Sequence, residues 1–183
     1  MKKISQLLAS GLFCIALLSF AAGTGGSQAG AISKKGFTYN KINLSANWLV
    51  APLLAELGTP DSIFNGYNKL HIYKKKGIVV FEKMEGKKPS GVLSEVQFYF
   101  DRNVEDNTYN LSDNYTGTLK AGKLNLEPGV GSAMAKAKLK KWKLSDSYTE
   151  NSYRFANYGV YMYLMFNKDE NRLMKVSIGK DKN

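Results

Sequence analysis

The only cysteine of this chain, Cys14, lies inside an N-terminal apolar segment, so the part of the chain that is expected to fold has no thiol. The segment has the three parts of a secretory signal peptide. The chain starts with Met-Lys-Lys, residues 7–22 are an apolar run, and Ala29-Gly30-Ala31 is an A-x-A cleavage site. The run is shorter than the ~20 apolar residues that span a bilayer. We therefore expect residues 1–31 to be a signal peptide that is removed on export.

A chain that starts at Ile32 and lacks cysteine forms no disulfide and no cysteine-ligated metal site. Its apolar core alone must then stabilise the fold. Lipidation is not expected, because Phe13 precedes Cys14 and the apolar run continues beyond it. These features predict an exported protein of the periplasm or the extracellular space, with a bacterial-type signal peptide, that is not a lipoprotein.

The exported chain is strongly basic. Removal of residues 1–31 takes away two lysines and no acids, which leaves 24 basic and 15 acidic side chains and a net charge of +9 over 152 residues. Such a charge favours acidic partners, such as anionic lipid or polyanions, although it also serves solubility alone. Export argues against a nucleic-acid partner.

Two parts of the sequence match one another at a nearly constant offset, which predicts an internal repeat. In the first match Gly77 falls on Gly159, each in a turn between two predicted strands. The difference in offset lies in a predicted hairpin loop, where lengths vary most readily. The matched stretches are residues 70–81 with 152–163, at an offset of 82, and residues 93–98 with 173–178, at an offset of 80.

Each copy is predicted to contain a strand, a short helix and then three antiparallel strands. The first helix covers about residues 50–57, with Pro52 in its first turn and Gly58 at its end. The second covers about residues 133–141, with Ser132 as its N-cap. The predicted fold class is α+β, as two tandem units that each pack a short helix on an antiparallel meander. The first unit spans residues 32–100, the second spans residues 115–183, and residues 101–114 form a polar connector between them.

A short motif follows the first predicted helix and suggests a family. Leu57-Gly58-Thr59-Pro60 stands between that helix and the meander. In tandem, this order resembles the β-lactamase inhibitor protein fold, and a single unit is similar to the SmpA/OmlA envelope lipoproteins. The resemblance covers nearly all of residues 37–179, but the second copy has Leu139-Lys140-Lys141-Trp142 in place of the motif, and the disulfides of the inhibitor are missing. The resemblance implies a non-catalytic protein-binding module and transfers no binding residue.

The inventory of reactive side chains argues against an enzyme. His71 is the only histidine, so no two-histidine metal site can form, and no G-x-S-x-G motif accompanies it. His71 lies on a predicted strand and is expected to be an ordinary strand residue. The carboxylates Glu82, Glu85, Glu95 and Asp101 are expected to be solvated charges at strand ends. We therefore predict no catalytic residue, no metal site and no cofactor.

Two surface features remain as candidates for binding. Lys136, Lys140 and Lys143 fall on one side of the second predicted helix and form either an anion-binding face or a merely solvated one. Residues 160–166 are apolar or aromatic on both alternating faces of a strand. Either that strand is buried on both sides, or it presents Tyr161, Tyr163 and Met165 to a partner.

These features predict an exported, non-catalytic binding protein that acts in protein–protein interaction or inhibition, with an unidentified protein as its partner. The alternative is a cell-envelope protein that binds anionic lipid or polysaccharide through the basic helix face.

Overall fold

The computed structural model describes residues 29–104, 108–146 and 150–181. Most of the predicted signal peptide, including Cys14, lies outside the described residues, and so do residues 105–107 of the predicted connector. Within the described ranges no helix is long and apolar enough to cross a membrane.

The described chain forms thirteen strands and two α-helices, with two short 3₁₀ turns at Leu44–Ala46 and Lys74–Lys76. In chain order the elements are β1 (Ala29–Ser33), β2 (Gly36–Tyr39), β3 (Ile42–Asn43), α1 (Ala51–Leu57), β4 (Ser62–Asn65), β5 (Asn68–Tyr73), β6 (Ile78–Glu85), β7 (Lys88–Tyr99), β8 (Thr118–Ala121), β9 (Leu124–Leu126), α2 (Ser132–Lys138), β10 (Lys143–Asp146), β11 (Ser152–Asn157), β12 (Val160–Phe166) and β13 (Leu173–Lys180).

The larger sheet has eight antiparallel strands in the order β10-β11-β12-β13-β7-β6-β5-β4. Each half is a meander of four consecutive strands. The halves meet where β13 pairs with β7, with Phe98 opposite Val176 and Val96 opposite Ile178. All four of these side chains are buried, so the junction is part of the core.

The smaller sheet has five strands in the order β3-β2-β1-β8-β9. It combines the N-terminal hairpin with the hairpin after the connector, through a parallel pairing of β1 with β8. Residues 29–31 pair within this sheet, so the predicted cleavage point before Ile32 falls inside β1.

One main core lies between the two sheets and the helices. Phe98 of the larger sheet stands at its centre, with the ring of Tyr115 at 4.9 Å, that of Tyr39 at 5.8 Å and that of Phe37 at 6.4 Å between centroids. Helix α1 contributes its buried leucines, and α2 contributes Ala135. The sequence also predicts four particular core residues, and all four are buried, as expected: Trp142, Phe155, Val176 and Ile178.

The predicted fold class is wrong. Of the residues that the structure describes, 50% are in strands and 14% are helical, and they form two sheets instead of two separate helix-on-meander units. Two separate meanders would each leave a long apolar edge strand unpaired, β7 in one and β13 in the other, and these edges pair with each other. The segments ahead of the helices, expected to be single strands, together form the second sheet.

The predictions for single turns and helix ends agree with the structure better than the predicted fold class does. Gly77 and Gly159 both occupy left-handed positions, with φ of 62° and 72°, in the turns that follow β5 and β11. Helix α1 ends at Gly58 as expected, and the Gly58 N–H donates to the Leu54 carbonyl at 2.8 Å. Helix α2 is shorter than expected and ends at Lys138.

Candidate functional site

Strand β12 separates its side chains cleanly between the two faces of the larger sheet. Val160, Met162, Leu164 and Phe166 are buried in the main core, whereas Tyr161, Tyr163 and Met165 lie on the opposite face and are partly exposed. The second face of β12 therefore lies outside the main core without being fully exposed, and its contact with a partner stays a prediction. The cross-strand register places the neighbours of the tyrosines on the same face, and we call this group the tyrosine face: Glu95, Gln97, Arg154, Tyr161, Tyr163, Ser177 and Gly179.

Tyr161 does not project freely into solvent. Its partner on β13 is Gly179, and a Cβ atom at that position would lie 2.4 Å from the tyrosine Oη and 2.5 Å from Cζ. The missing side chain therefore lets the ring lie across β13. From there the Tyr161 hydroxyl donates a 2.7 Å hydrogen bond to Oε2 of Glu95 on β7.

The carboxylate of Glu95 is held from its other side as well. Its Oε1 accepts a 2.6 Å hydrogen bond from Nε2 of Gln97, and the Gln97 Oε1 accepts one of 2.7 Å from the Tyr99 hydroxyl. Burial raises the pKa of Tyr161 well above its usual value, and the nearby negative charge of Glu95 raises it further. Tyr161 therefore stays a neutral donor, fixed in one orientation.

Two further side chains frame the Tyr161 ring. The ring of Tyr163 meets it edge-on, at 5.5 Å between centroids and 68° between planes. The guanidinium carbon of Arg154 lies 5.3 Å from the Tyr161 centroid, and its Nη2 forms an ion pair with the largely buried Asp181. The result is a preorganised surface of aromatic rings and partly exposed polar groups.

The connector covers the adjoining part of the same sheet face. Val104 and Leu111 join a second apolar cluster on this side of the sheet, and the Tyr109 ring stands 6.2 Å from Phe81 and 6.3 Å from Tyr99. Met165 packs against this cluster. Of the three side chains predicted to bind a partner, Tyr161 and Tyr163 therefore form one group, and Met165 belongs with the connector.

The predicted basic helix face is not a single surface. Helix α2 ends before Lys140, which lies in a turn, and Lys143 is the first residue of β10. Lys136 is on the helix, but its Nζ lies 3.6 Å from the centroid of the Tyr153 ring. Lys140 and Lys143 are exposed. The prediction of one helix face is wrong because it relied on a helix that continued to residue 141, whereas anion binding by these lysines stays a prediction.

Glu170 is an interaction centre that the sequence does not reveal. Its carboxylate accepts hydrogen bonds from the hydroxyls of Ser132 and Tyr153, the latter at 2.6 Å. These bonds lower the pKa of Glu170, with a smaller effect in the same direction from Lys136. Ser132 is therefore not the N-cap, a position taken by Gly131, and its hydroxyl binds the β12–β13 loop. No sequence signal at residue 170 indicates this contact.

His71 and Glu82 form a buried pair at the margin of the core. The His71 Nε2 lies 3.0 Å from Oε2 of Glu82, and Oε1 of the same carboxylate accepts a 2.9 Å hydrogen bond from the Gly91 N–H. The prediction that Glu82 is a solvated strand-end charge is therefore wrong, because its side chain is only 7% exposed. Across the described ranges, no three His, Cys, Asp or Glu side chains are grouped as a metal site requires.

The fold is thus a mostly-β assembly of two sheets, and a comparison with known families places it further. The chain belongs to the family described as Domain of unknown function (DUF7738), whose model matches residues 31–133, more than half of the sequence. The match runs from β1 to the start of α2, so Tyr161 and Tyr163 lie beyond it. No curated protein matches the chain. The resemblance to the β-lactamase inhibitor proteins stays a prediction.

Three solved structures show distant similarity to the chain. An extracellular protein containing a SCP domain from Bacillus anthracis has 13% identity and a TM-score of 0.46, over 73% of this chain and 43% of that one. The DUF4309 family protein YjgB from Bacillus subtilis has 12% identity and a TM-score of 0.42, over 73% and 78%. A cysteine-rich secretory protein from Staphylococcus aureus has 10% identity and a TM-score of 0.41, over 73% and 42%. The chain therefore spans less than half the length of the first and third.

Proposed function

We propose that this protein is an exported, non-catalytic binding protein that holds a protein partner on the tyrosine face. The observation that carries the proposal is the fixed Tyr161 ring, which lies over Gly179 with its hydroxyl on Glu95. Tyrosine and arginine are enriched at the centres of protein interfaces, because they combine a large apolar area with a polar end. Tyr161, Tyr163 and Arg154 provide both on one sheet surface.

Preorganisation supports the same function. A side chain already held in one rotamer loses little conformational entropy when a partner covers it, so more of the contact energy appears as affinity. Tyr161 and Gln97 are held by hydrogen bonds, and Arg154 by its ion pair. The sheet beneath them is rigid, because its other face is packed into the main core.

The export part of the proposal rests on the sequence at the N-terminus, and the non-catalytic part rests on the inventory of side chains. The sequence before residue 29 has the basic start and the apolar run that are typical of a signal peptide. The exported chain has no cysteine, and its single histidine is buried against Glu82. Neither a nucleophile–base pair nor a set of metal ligands is therefore proposed.

Quantitative capture from the cell envelope tests the function. The exported chain, its Tyr163→Ala variant and its Tyr158→Ala variant serve as baits, and the captured proteins are compared by mass spectrometry. Tyr158 is a control because it is exposed and aromatic, and its ring contacts Trp142, away from the tyrosine face. We expect a partner that the parent and Tyr158→Ala retain and Tyr163→Ala loses. Equal capture by all three would contradict the proposal.

A further inference from the structure

The hairpin of β4 and β5 exposes an unusual group of apolar side chains. Ile63 is 53% exposed, Phe64 60% and Tyr67 96%, and we call these three residues the apolar tip. In the part of the chain that the structure describes, seven large hydrophobic side chains are exposed, and three of them lie within residues 63–67. Single exposed apolar residues are normal on a soluble protein, but a cluster at one point marks a contact surface.

Strand β4 is also an edge without the usual protection. It is the last strand of the larger sheet, and its sequence Ser-Ile-Phe-Asn has no charge. Ile63 and Phe64 point to opposite faces of the sheet, as successive strand residues do, and both are exposed. Natural edge strands commonly carry a charged side chain that discourages pairing with another chain, and Lys143 on β10 is such a residue at the other edge.

Lysines stand beside the apolar tip. The pairing of Asn68 with Lys83 places the β4–β5 turn next to the hairpin of β6 and β7, at the same end of the sheet. Lys87 and Lys88 in that hairpin are exposed, and Lys83 is partly exposed. Glu85 is the only acid among residues 83–88, so this hairpin is basic.

We propose that this end of the sheet binds the surface of an anionic phospholipid bilayer, with the apolar tip in the interfacial layer and the lysines at the head groups. Aromatic side chains favour the membrane interface, and lysines near it are attracted by anionic lipid. A soluble polyanion would satisfy the lysines but would offer no apolar phase to Ile63 and Phe64. A second copy of this chain would bring two sets of lysines together, which opposes pairing.

This surface is separate from the tyrosine face. Strands β5, β6, β7 and β13 stand between β4 and β12, which carries Tyr161 and Tyr163. The inference does not rest on the proposed function, and the two are tested by different variants.

Co-sedimentation with vesicles tests the inference. The exported chain is mixed with phosphatidylcholine vesicles that contain phosphatidylglycerol, and with vesicles of phosphatidylcholine alone, at low and high salt. We expect binding to the anionic vesicles at low salt and its loss at high salt, because salt screens the lysines. The Ile63→Ser/Phe64→Ser variant should bind at least about tenfold more weakly, since two apolar side chains no longer enter the interface. Lys87→Glu/Lys88→Glu should lose at least about tenfold as well.

Matched controls separate this surface from others on the protein. Met134→Ser/Leu144→Ser removes two side chains of similar exposure elsewhere, and Lys140→Glu/Lys141→Glu removes two other lysines. Both variants should bind like the parent. If Lys140→Glu/Lys141→Glu loses vesicle binding and Lys87→Glu/Lys88→Glu does not, the inference is overturned in favour of the basic segment after α2.

Three further measurements separate membrane contact from misfolding and from self-association. Each variant must keep the parent's circular dichroism spectrum, and tryptophan placed by Tyr67→Trp should shift its emission to shorter wavelength on anionic vesicles. No shift would overturn the inference. Sedimentation velocity reports the remaining alternative: a parent that is dimeric, binds no vesicles and becomes monomeric on Ile63→Ser/Phe64→Ser would identify the apolar tip as an interface between copies of this chain.

Discussion

The hydroxyl of Tyr161 reaches across β13 to Oε2 of Glu95, at 2.7 Å, because the residue beneath its ring is Gly179. Three neighbouring strands thus each contribute one part of the contact. Tyr161 gives the ring and the donor, Gly179 gives the space, and Glu95 gives the acceptor. The orientation of the ring is therefore a property of the whole sheet, which makes it sensitive to a single methyl group at position 179.

Gly179→Ala is predicted to displace the Tyr161 ring. The new Cβ would lie 2.4–2.6 Å from the Oη, Cζ and Cε1 atoms, so the ring must swing away and give up the Glu95 bond. We expect a loss of about 1–3 kcal/mol in the free energy of unfolding, as for other overpacked sites. Urea unfolding measures it. Ser177→Ala is the control, because it changes a nearby position on β13 without adding volume. Gly122→Ala does not serve, because alanine is strained at the φ of 59° that Gly122 has. A Gly179→Ala variant as stable as the parent would contradict the described contact.

Tyr161 and Tyr163 should respond differently to substitution. Tyr161→Phe removes the donor to a carboxylate and is expected to cost about 1.5–3 kcal/mol of stability, the range for hydrogen bonds to charged groups. Tyr163 is partly exposed, and its ring contacts Tyr161 only edge-on. Tyr163→Ala should therefore lower the free energy of unfolding less than Tyr161→Phe does, and weaken partner binding more. Chemical unfolding of each variant supplies the comparison. The assignment of roles fails if Tyr163→Ala is the more destabilising of the two.

Acid stability should depend on Glu170. Its pKa in the folded protein lies below the usual 4.5, so its contribution to stability is present above that value and is lost as the pH falls through the folded pKa. Glu170→Gln should therefore lower the melting temperature at neutral pH and reduce the further drop on acidification. Asp169→Asn is the matched control, since Asp169 is exposed in the same loop. An identical acid dependence in the parent and Glu170→Gln would show that the contact contributes nothing.

Alkaline stability should depend on Tyr73. Burial raises its pKa from 10.0 to about 12, while its hydroxyl donates to the Gly58 carbonyl at 3.1 Å. Because the folded pKa is the higher one, the contribution is complete below pH 10 and is lost as the pH rises from 10.0 to about 12. Tyr73→Phe should thus be less stable at neutral pH by about 1 kcal/mol and lose less on alkalinisation. Tyr67→Phe, at a 96% exposed position, should match the parent.

The exported chain should keep residues that a cut before Ile32 would remove. Gly30 pairs with Tyr39 and Leu119 in the smaller sheet, and Ala29 exchanges hydrogen bonds with Asn40. Ser27-Gln28-Ala29 also has small residues at both required positions, and a cut after Ala29 keeps the pairing of Gly30, whereas only an earlier cut keeps Ala29 as well. We therefore expect an N-terminus at Gly30 or earlier. Intact mass and N-terminal sequencing of exported protein decide this. A start at Ile32 would contradict it, and intact Met1 would contradict export with cleavage.

The sequence predicts the local elements of this fold better than their assembly. Gly77 and Gly159 mark turns because a left-handed position between two strands favours glycine, which has no Cβ, and Gly58 ends α1 for a related reason. The pairing of β7 with β13 is different. It joins strands that lie about eighty residues apart in the sequence. Nothing in either strand indicates whether its free edge faces solvent or pairs with another strand.

The sequence predicts only part of the candidate site, because the rest depends on which strands pair. The alternation in β12 indicates an aromatic face, but the sequence does not reveal which face the core covers. Glu95 and Gly179 become part of the site only through cross-strand register, which places them beside Tyr161. The sequence places Lys136 on a face that is either anion-binding or merely solvated, because its contact with Tyr153 forms only when α2 lies beside β11.

Site-specific photo-crosslinking in living cells tests the central claim most directly. A photoreactive phenylalanine analogue replaces Tyr163 in one strain and Leu144 in another. Leu144 is 45% exposed on β10 and faces away from the tyrosine face. Irradiation should yield a discrete adduct with one envelope or secreted protein from position 163 and none from position 144. The absence of any adduct at position 163, or the same adducts at both positions, would contradict the assignment of the tyrosine face as a binding surface.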